Sequence, residues 1–228
     1  MQSLHRLAVL AAALLNAALA AAPAHAQQTD EQVWTTATAN FSLGGGAKLG
    51  IHTVARFGDA AEGLSEVQLG SDVELGAGGF DLGAGYSYIT RYSQGALTTR
   101  EHRLRQQVSA GLGDLAGGQL AGRLRLEQRW RDDGEDIMLR LRPRLTWTRP
   151  IGPDGLALRL LHESFVHLNR TDWGGEARYD RMRNQIALRR RFGTGVTGEL
   201  GYLNQYSFSG ARRDEMVHAL TAAFTFDF

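Results

Sequence analysis

The chain has 228 residues, with 25 Lys+Arg against 24 Asp+Glu, 28 glycines, four prolines and no cysteine. Charge this balanced excludes electrostatic capture of nucleic acid, and the absence of cysteine excludes a disulfide scaffold. Many glycines with no sustained helical period favour turns and strands.

The first element is a leader. MQSLHR is followed by an Ala/Leu-rich run from Leu7 to Ala22, broken only by Asn16, and then by Pro23-Ala24-His25-Ala26. This is the pattern of a secretory signal peptide over residues 1–26, cut after Ala26. The run is too short and too Ala-rich for an anchor, and no later segment approaches the ~20 apolar residues of a membrane helix. Residues 27–228 are then one exported domain. Arg6 leaves with the leader, which brings Lys+Arg level with the 24 Asp+Glu.

From there the chain alternates. In GRLRLEQRW (122–130), Leu124, Leu126 and Trp130 oppose Arg123, Arg125, Glu127 and Arg129. Period two means a strand with one apolar and one charged face. The pattern predicts strands at about 32–43, 47–57, 64–76, 79–92, 99–112, 118–131, 136–149, 155–168, 178–192, 195–208 and 213–228. Many exceed the usual five or six residues of soluble strands and suit a tilted bilayer crossing, which needs about 9–11. The connections alternate between tight, glycine-rich turns (44–46, 76–79, 113–118, 151–155, 193–195) and longer polar loops (58–63, 92–100, 131–136, 169–177, 209–214). Outer-membrane barrels have short periplasmic turns and long outer loops.

Aromatic residues settle which face meets what. Phe41, Phe80, Trp147, Phe192 and Phe228 fall beside the tight turns. Phe57, Tyr88, Tyr92, Trp130, Tyr206 and Phe208 fall near the long loops. Two aromatic rows bracketing an aliphatic band are the interfacial girdles of a barrel. The apolar face therefore meets lipid and the arginines face a lumen. The fold class is all-β: an antiparallel transmembrane β-barrel in the bacterial outer membrane. Its last strand ends on Phe228 and resembles the terminal signal read by the barrel-assembly machinery.

The chain also resembles the outer-membrane barrels grouped as the domain of unknown function 2490 family. RLRLEQRW (123–130), RLRPRLTW (140–147), ELGYLNQY (199–206) and the early Trp34 carry the resemblance, which spans the domain. It implies a barrel and an outer-membrane address and assigns no activity. Bacterial single-chain barrels have even strand numbers, whereas eleven segments are visible and would leave the first one starting on the wrong side. Twelve strands are expected, with ten as the alternative. Residues 27–40 would then hide another crossing, lie in the lumen or form no barrel strand.

The lumen-facing set is Glu66, Asp72, Glu74, Arg103, Arg105, Arg123, Arg125, Glu127, Arg129, Arg140, Arg142, Arg144, Arg159, Glu163, Arg181, Arg183, Arg189 and Arg191. Such a set serves either as a charge ladder filling the interior or as an anion-leaning path. The expected function is a non-enzymatic barrel, either a narrow anion-leaning channel or a structural component. The alternative is a lipid-modifying hydrolase using His162 and Ser164, whose His-x-Ser spacing on the lipid face resembles outer-membrane lipid A deacylases. Phe165 stands where those enzymes carry asparagine, and no third carboxylate is evident. His102 and His167 read as isolated. The acids of 131–136 lack the spacing of a calcium loop, so no metal and no cofactor are expected. The expected partners are outer-membrane lipid, lipopolysaccharide and the assembly machinery, with the barrel a monomer that binds no nucleic acid.

Overall fold

The computed structural model describes residues 28–152, 155–210 and 213–228, so the leader lies outside the described residues. Residues that alternate in polarity are accommodated when each class takes one side of a pleated sheet. Eleven strands form among the described residues: β1 (Gln28–Gly44), β2 (Ala47–Gly58), β3 (Gly63–Ala77), β4 (Phe80–Ser93), β5 (Ala96–Leu115), β6 (Gly118–Arg131), β7 (Met138–Pro150), β8 (Ala157–His167), β9 (Arg178–Phe192), β10 (Val196–Ser207) and β11 (Glu215–Asp227). Every predicted segment is a strand, with ends displaced by at most four residues.

Neighbours in sequence pair antiparallel around a closed barrel, and β1 completes it against β11 in parallel. The count among the described residues is therefore eleven, one short of the twelve expected. An odd number makes the first and last strands run the same way, so the seam must be parallel. Residues 28–40 form a full wall strand, paired from Gln28↔Glu215 to Asn40↔Asp227. Parallel pairing is slightly weaker per residue, and the seam is tied at both ends. Gln28 N donates to Asp214 O at 3.1 Å, Ser42 N to Phe228 O at 3.2 Å and Phe228 N to Asn40 O at 2.9 Å. Asn40 Nδ2 donates to Asp227 Oδ1 at 2.8 Å.

Four hairpins turn on two consecutive residues of positive φ: Gly45–Gly46, Gly78–Gly79, Gln94–Gly95 and Ala116–Gly117. Such turns match the twist of antiparallel strands. The third corrects the expected long loop at 92–100. Its Ser93, Thr98 and Thr99 belong to β4 and β5, which continue past the apolar band, with a bulge between Arg91 and Tyr92. The remaining connections at that end are longer: a 3-10 turn at Asp59–Ala61, loops at 132–137 and 168–177, and the seven-residue stretch between β10 and β11.

The outer wall is apolar. Leu200 and Leu220 are 68% and 64% exposed, and Leu69, Val73, Leu124, Leu145 and Leu188 also point outward. In water this would be a continuous apolar surface far beyond that of a soluble monomer; against hydrocarbon it is the expected wall. Phe41 stacks on Phe228 with centroids 5.2 Å apart at the short-turn end. At the long-loop end Tyr206 and Tyr179 pack edge-on to Phe208.

Candidate functional site

The inward face is divided along its length. Toward the long loops it is filled by a continuous ionic network. Register puts Glu127 of β6 between Arg105 of β5 and Arg140 of β7. Alternation turns all of these side chains inward, where they are buried. Glu101 and Glu127 are fully buried. Glu101 accepts from Arg103 at 2.6 Å, Arg129 at 2.7 Å and Arg91 at 2.9 Å. Glu127 accepts from Arg140 at 2.5 Å and also from Arg142. Glu163 accepts from Arg123 at 2.5 Å and Arg142 at 2.8 Å, with Arg183 at 3.6 Å. Glu66 pairs with Arg56 at 3.1 Å and Arg91 at 3.3 Å. Burying charge is tolerated only when it is paired, and the planar guanidinium is suited to bridging two carboxylates.

Two aromatic residues sit inside the network. Phe165, 2% exposed, has the guanidinium carbons of Arg142, Arg183, Arg140 and Arg181 at 4.5, 5.0, 5.3 and 5.7 Å from its centroid. Trp34 carries Arg56 at 4.0 Å and Arg183 at 4.7 Å. Rings here separate like charges and offer a face to each cation. Trp173, from the 168–177 loop, covers Arg131 and Arg129 at 4.9 and 5.2 Å.

The loops above are tied to each other. Asp172 accepts from the amides of Glu135 at 2.9 Å and Asp136 at 3.3 Å, and its own amide donates to Asp136 at 2.9 Å. The amides of Glu135 and then Asp136 hold the Asp172 carboxyl below its ordinary range. The backbone amide of Arg100 does the same to Asp132. Among the described residues no cluster of three His, Cys, Asp or Glu is placed to hold a metal.

Toward the short turns the lumen opens into a vestibule of about 920 Å³, reaching from Asn40, Asp227 and Phe228 at the rim to Trp34, Gln68 and Leu203. Its lining has ten Lys or Arg residues and five Asp or Glu residues. Arg105 pairs with Asp72 at 2.9 Å and Arg159 with Glu199 at 2.8 Å. Arg105 also reaches the carbonyls of Ser71 and Tyr86, each at 3.2 Å. It passes over Gly85, where a Cβ would lie 2.2 Å from Asp72 Oδ1 and 2.5 Å from Ser71 O. Gln107 donates to Glu74 at 2.6 Å and accepts from Arg125 at 2.6 and 2.9 Å. Register places Arg123 opposite Arg144 and Arg125 opposite Arg142. Among the described residues, neither Arg125 nor Arg144 has a carboxylate within ion-pair distance.

The candidate residues thus lie on the inward side of the wall but do not converge on one point. Glu66, Arg103, Glu127, Arg129, Arg140 and Arg142 lie in the filled half, with Arg123, Glu163 and Arg183 at its floor. Arg181 pairs with Asp180 at 3.1 Å near the long-loop rim. Asp72, Glu74, Arg105, Arg125, Arg144, Arg159 and Arg191 line the vestibule, and Arg189 lies opposite Glu199. Sequence reasoning missed the neutral and aromatic members, Trp34, Gln107 and Phe165. Their inward parity on strands already assigned was the available signal.

The outward face holds a second polar group. His162 Nδ1 and Asn184 Oδ1 are 2.7 Å apart, His162 Nε2 and Ser164 Oγ 3.2 Å, and Ser164 Oγ and Tyr179 OH 2.8 Å. Neither His102 nor His167 is isolated. His102 hydrogen-bonds Tyr86 and packs 5.1 Å from Tyr88, and His167 faces Asp180 at 3.4 Å.

A profile of the family described as protein of unknown function DUF2490 matches residues 31–216. An uncharacterised protein of Methylorubrum extorquens is 33% identical over 220 residues, covering 95% of this chain and 96% of its own length. The translocator domain of the autotransporter NalP from Neisseria meningitidis has a TM-score of 0.41 at 19% identity, over 72% of this chain and 67% of that one. An anion-selective porin from Comamonas acidovorans has a TM-score of 0.37 at 14% identity, over 81% of this chain and 54% of that one.

Proposed function

The chain belongs to this family of unknown function, and from the geometry of its interior we propose that it is a bacterial outer-membrane barrel whose lumen is a narrow, anion-leaning conduit. The vestibule opens to the periplasm through the short turns, and the ionic network restricts the outer half. One observation carries the reading. Lining cations outnumber lining acids ten to five, and among the described residues neither Arg125 nor Arg144 has a carboxylate within ion-pair distance. A ring of such groups in a low-dielectric wall selects anions by charge. Lipid and lipopolysaccharide surround the apolar wall, the assembly machinery reads the strand ending at Phe228, and the barrel works as a monomer.

The test is reconstitution in planar bilayers under a potassium chloride gradient. Wild-type protein gives small conductance steps whose reversal potential favours chloride. Replacing Arg125 and Arg144 together by Gln moves that potential toward potassium without loss of the folded barrel. Absence of conductance, or selectivity unmoved by the double substitution, removes the conduit reading.

A further inference from the structure

We propose that Ser164, His162 and Asn184 form an esterase site on the lipid-facing wall, acting on the carboxylic ester of a membrane acyl lipid. The argument begins with proton placement. An amide oxygen can only accept, so Asn184 Oδ1 at 2.7 Å takes the proton of His162 Nδ1. That fixes the tautomer in which Nε2 carries a free lone pair. This lone pair faces Ser164 Oγ at 3.2 Å, within reach of a hydroxyl proton. Nucleophile, base and orienting group are thus in the order that activates a serine. With the Ser164 proton directed to His162, the Tyr179 hydroxyl, 2.8 Å away, donates to Ser164 Oγ, and it can turn to the ester oxygen once Oγ has attacked.

Register explains why the group exists. His162 and Ser164 share the outward face of β8, and Asn184 is the direct partner of His162 on β9. The other outward histidines with hydrogen-bonded partners, His102 and His218, each bond a single tyrosine hydroxyl. Among the described residues, only His162 holds an acceptor at one ring nitrogen and a serine at the other.

A second observation supplies the substrate. His162 and Ser164 close one end of an apolar groove of about 470 Å³ in the outer wall, within the size range of small-ligand pockets. The groove follows one row of paired residues, Phe80↔Ala110↔Gly122↔Leu145↔His162. Ala110, Leu112, Gly122 and Leu124 line it, with the Leu112 side chain lying over Gly122. The groove faces the hydrocarbon directly, so its occupant is an acyl chain, with its ester presented at Ser164.

The reaction balances with water as co-reactant. Ser164 Oγ attacks the ester carbonyl as its proton passes to His162 Nε2. The carbon–oxygen bond to the lipid alcohol breaks, and that alcohol leaves with the proton from His162. Water then attacks the acyl-serine, gives its proton to His162, and releases a fatty acid with Ser164 restored.

The experiment uses the purified full chain in detergent micelles containing either phosphatidylethanolamine or lipid A, with released fatty acid measured by mass spectrometry. Release from the phospholipid assigns a glycerol ester, and release from lipid A alone assigns an acylated sugar. Ser164→Ala abolishes release, and His162→Ala lowers it by at least ~10²-fold. For Asn184 as a positioning residue, Asn184→Leu loses activity and Asn184→Asp restores it. Ala110→Phe lowers hydrolysis of long-chain esters and spares short ones. Circular dichroism confirms that each variant remains a folded barrel. A fluorophosphonate probe labels Ser164 in wild type and not in His162→Ala. No release from either lipid, or labelling of Ser164 that does not depend on His162, overturns the proposal.

Discussion

In the long-loop half of the lumen each buried carboxylate is shared by two or three guanidinium groups, so that Glu66, Glu101, Glu127 and Glu163 between them bridge eight arginines. In the short-turn half the same residue type lines an open vestibule, and arginines outnumber the acids that face them. Parity along the strands is identical in both halves, so alternation alone does not distinguish them. What differs is where the acids fall. Glu66, Glu127 and Glu163 each land between arginines of neighbouring strands, and Glu101 is bonded by Arg91 and Arg129 from its two neighbours. Arg125 stands between Gln107 and Arg142, and Arg144, though opposite Glu163, has no carboxylate within ion-pair distance among the described residues. Arginine is structural where a carboxylate bonds it and available to ligands where none does.

The sharpest break of that contrast is at Glu127. Glu127→Gln leaves Arg140 and Arg142 buried without their shared acid, and a loss of about 3–5 kcal/mol is expected. Glu74→Gln, at the open vestibule, is expected to cost less than about 1 kcal/mol. Denaturant-unfolding midpoints in micelles compare the two, and equal losses would erase the division of the lumen. A smaller effect is expected at Phe165. Phe165→Leu keeps the apolar bulk and removes the ring face beneath four guanidiniums, for a loss of about 1–2 kcal/mol in the same measurement. The smallest is at the rim. The Asp172 carboxyl is depressed in the folded loop, so the tie it makes is present above the ordinary carboxylate range. That tie is lost as pH falls through that range toward the folded value. Trp173 fluorescence should change on acidification while strand content holds, and Asp172→Asn should abolish the change.

Much of this was legible before any coordinates. Period-two alternation located all eleven strands and assigned each side chain to lipid or lumen, because a one-residue slip would invert every face. The even strand number was a population rule, and it failed at a chain whose seam is parallel. The supposed loop at 92–100 failed because polar residues extend β4 and β5 beyond the lipid, where composition no longer tells strand from loop. Asn184 was invisible for a different reason. It lies twenty residues from Ser164 in sequence, and only strand register shows that it faces His162. Phe165 looked like a departure from a motif, yet its inward parity between Glu163 and His167 had already placed it among the arginines.

The parallel seam has one more consequence. In a barrel with an even number of staves the two ends of the wall meet at one rim, and a short linker can rejoin them into a circular permutant. Here Gln28 and Phe228 stand at opposite rims, beside partners Glu215 and Asn40 respectively. A graft between them would have to pass through the packed bore or across the hydrocarbon. Reordering this protein therefore requires an added stave, and a twelfth one inserted at the seam would turn the closure antiparallel on both its edges.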